Sequence, residues 1–238
     1  MKKAIVIGAT SGIGKELANL LAKNNYKVAI TGRRSELLEE IRKTNPDAFI
    51  TKTFDNQEYE KIPEHLDNLV EMLGGLDLLI ISSGTGKVSE ELDFEIEKNT
   101  ILTNTLGFTR IADWSMNFFE KQKFGHLVGI SSIAGLRGNR YSPAYAATKA
   151  FQINYLEGLR HRATYLKLPI YVTDIRPGFI DTAMAQGDKI FWLVPLERGA
   201  KLIFNAIKRK KKVAYISKKW VLFAWFMKLL PRWIHHKI

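Results

Sequence analysis

The chain has 238 residues, 46% of them hydrophobic, a size that suits one α/β domain with a substantial core, and no stretch reads as a linker or repeat. It contains no cysteine, which excludes disulfides, thiol catalysis and thiolate metal sites and fits a reducing, cytoplasmic compartment. The formal net charge of +12 is local: from Arg198 onward there are 12 Lys and Arg and no acid, whereas the preceding residues are balanced.

In chain order, the first element is a short apolar β-run ending at Ile7. Met1-Lys2-Lys3 ahead of it imitates a signal peptide, but the run stops at Gly8, too soon for an h-region. A glycine-spaced turn follows, Gly8-Ala9-Thr10-Ser11-Gly12-Ile13-Gly14, and then Lys15 to Lys23 carries Leu17, Leu20 and Leu21 at helical spacing. Strand, turn and helix of this kind let a pyrophosphate approach bare backbone at a helix N-terminus, where unpaired N–H groups and the helix dipole favour anions. The spacing is Gly-x-x-x-Gly-x-Gly rather than the commoner Gly-x-Gly-x-x-Gly, so a glycine turn without a ligand stays open.

Strands are expected near residues 3–8, 27–31, 48–54, 77–82, 125–131, 169–175 and 213–216, separated by helical stretches. Such alternation implies an α/β fold, a doubly wound Rossmann-like parallel sheet of about seven strands with helices on both faces and active groups at the strands' carboxyl ends. Residues 1–216 are expected to form this domain, and 217–238 a basic, aromatic segment that is not a separate domain. His65, His126, His161, His235 and His236 lack metal-ligand spacing, and no metal is expected.

Ser142 reads as an N-cap and Pro143 as the first residue of a helix that places Tyr145 and Lys149, four residues apart, on one face. A free tyrosine has a pKa near 10 and is a poor proton shuttle at neutral pH. A cation about 4 Å away, at an effective dielectric of about 20, favours the phenolate by about 4 kcal/mol before desolvation subtracts some of it. Tyr145 is then a candidate general acid/base for a carbonyl or alcohol oxygen, and Ser132 a hydrogen-bond partner for that same oxygen. Tyr-x-x-x-Lys pairs also occur by chance, as a surface tyrosine beside a solvated lysine.

Taken together, these motifs resemble the short-chain dehydrogenase/reductases of the compact, single-domain kind, over residues 3 to about 182. Gly8 to Gly14 is similar to that family's cofactor loop, Ile130-Ser131-Ser132 to the strand end bearing its catalytic serine, and Tyr145-x-x-x-Lys149 to its active-site pair. The resemblance implies that Tyr145 is the general acid/base, that Ser132 orients the carbonyl, that Lys149 lowers the tyrosine pKa and holds the nicotinamide ribose, and that Asn104 completes a water and proton relay. Pro177-Gly178-Phe179-Ile180-Asp181-Thr182 resembles the segment that binds the nicotinamide carboxamide. Where the family usually has Asn-Asn-Ala-Gly, this chain has Ile81-Ser82-Ser83-Gly84, so a hydroxyl replaces an amide on the adenosine side. The cofactor contacts so implied are Gly8, Thr10, Ser11, Gly12, Ile13, Gly14, Arg33, Arg34, Asp55, Asn56, Ser82, Ser83, Gly84, Tyr145, Lys149, Pro177, Gly178, Ile180 and Thr182.

In such a fold, an acid about 20 residues beyond the glycine turn binds the 2′-hydroxyl of NAD, while arginine accommodates the 2′-phosphate of NADP. Here the second strand runs into Thr31-Gly32-Arg33-Arg34 with no carboxylate. NADP is therefore the expected cofactor, with Arg33 the main ligand and Ser11 its helper. The other reading is an arginine pair on a solvated helix start. The expected activity is NADP(H)-dependent hydride exchange with a carbonyl/alcohol pair, as a ketone reductase. The apolar loop from Thr182 to Pro195, with Met184, Phe191 and Trp192, is expected to close the cleft over a hydrophobic substrate. The alternatives are a non-catalytic NADP-binding sensor and a membrane-associated scaffold.

Lys208-Arg209-Lys210-Lys211-Lys212 and the later run Trp220 to Met227 form the second unusual signal. The apolar run is far short of the roughly 20 residues a transmembrane helix needs. One expectation is peripheral contact of residues 208–238 with the inner face of a membrane, with tryptophans at headgroup level. The other is packing against a partner subunit of a homo-oligomer, dimer or tetramer, or over the substrate cleft. No nucleic-acid recognition motif accompanies the charge.

Overall fold

The computed structural model describes residues 1–185 and 191–235. Seven strands alternate with helices: β1 (Lys2–Ile7), α1 (Gly12–Lys23), β2 (Tyr26–Gly32), α2 (Ser35–Thr44), β3 (Phe49–Thr53), α3 (Ile62–Leu73), β4 (Leu78–Ile81), α4 (Phe94–Ile101), α5 (Phe108–Gln122), β5 (Gly125–Ile130), α6 (Pro143–Tyr165), β6 (Ile170–Pro177), α7 (Leu196–Lys208), β7 (Val213–Ile216), α8 (Lys218–Leu229) and α9 (Arg232–His235). A π-helical turn, Leu102–Gly107, joins α4 to α5, and a 3₁₀ turn, Ile133–Leu136, follows β5.

All strand pairs are parallel, in the order β3-β2-β1-β4-β5-β6-β7. Strand pleating explains the two cores, because successive side chains point to opposite faces. Ala4 and Val6 of β1 and Leu78 and Ile80 of β4 pack with α1, α2 and α7, whereas Ile5, Ile7, Leu79 and Ile81 pack with α3, α5 and α6. The near-continuous apolar strands suit a sheet covered on both sides.

The chain builds outward from β1 to β3, then returns to place β4 on the other side of β1. Their carboxyl ends diverge there and open the crevice in which doubly wound sheets bind ligands. The strands lie within two residues of their expected positions, and β7 coincides with 213–216. The expected start of α6 also holds, with Pro143 in its first turn, but the Ser142 hydroxyl makes no capping bond. Proline's fixed φ, rather than a side-chain cap, marks that boundary.

The C-terminal segment is continuous with the core. Trp220 of α8 is fully buried against Gly178 and Phe179 and is part of the core on the α1 and α7 side of the sheet, and α8 follows β7 after one residue. The basic run Lys208–Lys212 precedes the amino end of β7, whereas α8 begins at its carboxyl end, so the two signals of the tail stand a strand's length apart.

Candidate active site

The glycine turn is tight for identifiable reasons. Gly8 adopts φ +82°, and a side chain there would come within 2.6 Å of the Ser83 backbone nitrogen. A Cβ on Gly14 would collide with the Gly8 carbonyl, so α1 starts closer to the end of β1 than any other residue would allow. The Gly8 and Ala9 N–H groups donate to the Thr31 carbonyl at 3.1 and 2.8 Å. No acid stands in the first turn of α1, whose amino end therefore stays electropositive.

Two guanidinium groups flank this turn at the end of β2. Arg34 donates to Thr10 Oγ1 at 2.6 Å and to Ser11 Oγ at 3.0 Å. Arg33 instead pairs with Asp55 at 3.5 Å, more than half exposed. The arginine tied to the turn is thus Arg34, not the one expected to dominate. Asn56 is buried and donates to Ser83 Oγ at 2.6 Å. Ser82 continues β4 pairing by donating its N–H to the Ile7 carbonyl at 2.9 Å, so at this position the backbone does the fixing.

Residues far apart in sequence converge across the crevice. A Cβ on Gly12 would lie 3.4 Å from the Thr182 methyl, and one on Gly84 would lie 3.4 Å from Lys149 Nζ and 3.5 Å from Asn104 Oδ1. Segment 177–182 leaves β6 and is held by Val194, which bridges Ile180 and accepts from the Asp181 N–H at 2.9 Å. Residues 186–190, the middle of the expected cleft loop, lie outside the described residues. Of its flanks, Met184, Phe191 and Trp192 are exposed, and Phe191 also packs edge-on against Phe179.

Ser132, Tyr145 and Lys149 meet at the carboxyl edge of β5. The Ser132 hydroxyl accepts from the Ala134 N–H at 3.1 Å and donates to the Pro177 carbonyl at 3.4 Å, and it lies close enough to the Tyr145 phenol to act on its pKa. Burial pushes the Tyr145 pKa up, and the neighbouring Ser132 hydroxyl offsets part of that rise. Lys149 is buried and pulled down to about 8 by desolvation, with Asp174 opposing the fall. Its Nζ stands 5.7 Å from the Tyr145 ring centroid. The expected effect of a close ammonium on the phenol is therefore outweighed by burial of both groups. At neutral pH the phenol carries its proton and the lysine its charge. The loop after β4 adds to this burial, for Gly86 lies so close to the Tyr145 ring that any side chain there would collide with it.

Asn104 is 0% exposed. Its side chain closes a pair of hydrogen bonds with Thr85, accepting from its N–H at 2.9 Å and donating to its carbonyl at 2.7 Å. Gln152, one residue that sequence reasoning missed, joins Asn104 to Lys149. It donates to the Asn104 carbonyl at 2.8 Å and accepts from Lys149 Nζ at 2.9 Å, while Lys149 also donates to the Ile130 carbonyl at 3.0 Å. The available signal was its spacing, three residues beyond Lys149 and seven beyond Tyr145 on the same helix face. Asn104 sits in the π-helical turn, a distortion that often accompanies functional sites.

Residues 2–190 match the short chain dehydrogenase family. The chain belongs to that family. Among relatives of this short-chain dehydrogenase, an uncharacterized oxidoreductase of Mycobacterium tuberculosis is 31% identical over 218 residues, covering 88% of this chain and 85% of that one. An uncharacterized oxidoreductase of Staphylococcus aureus is 32% identical over 186 residues, covering 77% and 80%. Among solved structures, ElxO with NADP bound superposes with a TM-score of 0.81 at 25% identity, covering 93% of this dehydrogenase and 100% of ElxO. A tyrosine-to-phenylalanine variant of ElxO with NADPH bound gives the same TM-score and coverage.

Proposed function

We propose that this short-chain dehydrogenase is an NADP(H)-dependent reductase of hydrophobic ketones, with Tyr145 as general acid. The observation that carries the reading is the convergence of the Ser132 hydroxyl, the Tyr145 phenol and the buried Lys149 ammonium at the crevice that the glycine turn opens. The residues fit the cofactor: Gly8 and Gly14 form a cradle that side chains would fill, and Arg33 and Arg34 supply cations where a 2′-phosphate would lie. The NADP-bound ElxO structures support the same choice.

When bound, the nicotinamide supplies a hydride to the carbonyl carbon. Tyr145, protonated at neutral pH, donates its proton to the carbonyl oxygen as the C=O π bond breaks, and the product is the alcohol. Ser132 holds that oxygen while negative charge develops on it. Lys149, oriented by Gln152 and the Ile130 carbonyl, holds the ribose, and its positive charge eases proton loss from the phenol. Asn104 fixes the loop after β4 and, through Gln152, the lysine. The exposed Met184, Phe191 and Trp192 favour an apolar substrate.

In this reading the protein works as a homo-oligomer, for which the exposed Phe151 of α6, stacked on Tyr155 at 5.5 Å, offers a subunit contact. Its tail gives peripheral contact with the inner face of a membrane; no helix among the described residues is long and apolar enough to cross one. The test is a panel of carbonyl compounds with NADPH oxidation followed by absorbance. Tyr145→Phe is expected to lower kcat by about 10²-fold or more with little change in NADPH affinity. Unaltered turnover in that variant would end the mechanism, and tight NADPH binding with no turnover on any carbonyl would favour a sensor.

A further inference from the structure

Between Lys219 and Lys228 helix α8 is apolar all round but covered on only one side. Trp220 and Ala224 are buried, with Phe223 packed beside them, while Val221, Leu222, Trp225, Phe226 and Leu229 face outward, Leu222 at 72% and Trp225 at 67% exposure. These five recur at the spacing of one helical face. A helix of this composition is ordinarily enclosed, and an exposed stripe of several hundred Å² marks an interaction surface.

Charge at this face selects the partner. Lys218 and Lys219 are exposed at the start of α8, and from Ser217 onward the sequence holds only cations among its charged residues. Lys219 Nζ lies 5.8 Å from the Trp192 ring centroid, beside the exposed Phe191, Trp192 and Leu193. Aromatic and aliphatic side chains rimmed by lysine suit an anionic lipid surface, into which the apolar face sinks while the ammonium groups stay with the headgroups.

The helix is also part of the site wall. Trp220 packs so tightly on Gly178 that no side chain fits there, and Arg137, at the end of the 3₁₀ turn that Ser132 begins, donates to the Met227 carbonyl at 2.8 Å and to that of Leu230. An object bound to the outer face of α8 therefore sits beside the cleft.

We infer that the outward face of α8 docks on an anionic lipid bilayer and holds the substrate cleft at its surface, so that carbonyl compounds dissolved in the lipid reach Tyr145 from there. The docking stands on α8 alone; the substrate route rests on the reading of the site as a carbonyl reductase.

The full chain is mixed with vesicles of phosphatidylcholine alone or of equal parts phosphatidylcholine and phosphatidylglycerol, and flotation is scored. The wild type is expected to float with the anionic vesicles at least about tenfold better than with the neutral ones, each lysine near the headgroups contributing roughly fivefold. Leu222→Glu/Phe226→Glu, which alters exposed positions only, is expected to lose flotation while keeping NADPH binding and turnover of a water-soluble ketone. Turnover of a long-chain ketone presented in anionic vesicles is expected to fall about tenfold in that variant. Flotation of the wild type that is absent, indifferent to lipid charge or unaffected by the double substitution overturns the docking. So does a dimer, seen by size-exclusion chromatography, that the double substitution dissolves without any vesicle binding. Flotation as expected with no turnover of any ketone leaves the docking standing and removes the reductase reading.

Discussion

Arg34 reaches both hydroxyls of the glycine turn, and Arg33 reaches Asp55. A phosphate arriving between them meets two guanidinium groups, one already oriented. Arg34→Glu and Arg33→Glu are each expected to weaken NADPH binding by about 10- to 100-fold, the scale of one charge-assisted hydrogen bond, and to weaken NADH binding much less. Fluorescence titration with both cofactors checks this, and equal losses for the two would refute the 2′-phosphate assignment. Lys149 gives a second prediction. Its folded pKa of about 8 lies below the ordinary value of 10.5, so the folded state binds fewer protons than the unfolded state between those values, and stability rises with pH across that window. The penalty is fully present below pH 8. Lys149→Met is therefore expected to stabilise the protein at pH 7 by about 1 kcal/mol, relief of about 3 kcal/mol less two hydrogen bonds, and to destabilise it near pH 10.5. Denaturant melts at the two pH values decide it; a difference that does not move with pH means the lysine is not desolvated. The grouping of Tyr145, Ser132 and Lys149 was legible, because helical spacing puts Tyr145 and Lys149 on one face and the resemblance brings Ser132 to them. Gln152 was not, because its role depends on where the π-helical turn puts the Asn104 carbonyl, which no local pattern announces.

Among the elements, α8 does the least expected work. The sequence showed an aromatic run with lysines around it and left open a membrane surface, a partner subunit or the cleft. Its hydrophobic pattern has no single stripe to read, since one set of apolar residues serves the core and the other faces out. Trp220 decides the inner side: it seats on Gly178 and meets Phe179 and Phe223 edge-on and Phe191 at a tilt, while its indole N–H finds no partner. Trp220→Ala is expected to cost about 3 to 5 kcal/mol, the range for deleting a large buried aromatic, and to raise the Kd for NADPH by loosening segment 177–182. Trp220→Phe is expected to cost only about 1 to 2 kcal/mol, as it sacrifices no hydrogen bond. Urea titration of the three proteins measures both, and equal costs would show that packing on Gly178 is not what Trp220 supplies.

At the scale of the whole molecule, alternation of apolar runs with helical stretches was enough to read the sheet, because both faces of a central strand must be covered and β1 and β4 are accordingly apolar from Ala4 to Ile7 and from Leu78 to Ile81. Strand order and the convergence of distant loops could be inferred only through resemblance, since no local physics pairs Gly12 with Thr182 or Gly178 with Trp220. Folding also divides the basic tail, sending Lys208–Lys212 to one end of β7 and α8 to the other.

That long-range pairing bears on biosynthesis. Gly8 rests on Ser83, Gly12 on Thr182 and Gly178 on Trp220, so each successive wall of the crevice is delivered by a later part of the chain. A polypeptide emerging from the ribosome can zip up β1 to β3 early, yet it owns no finished nucleotide berth until Trp220 has been made and has docked. Loops closed over such distances form slowly, and a nucleotide that grips only the completed crevice would act as the latch that keeps the newborn enzyme from reopening.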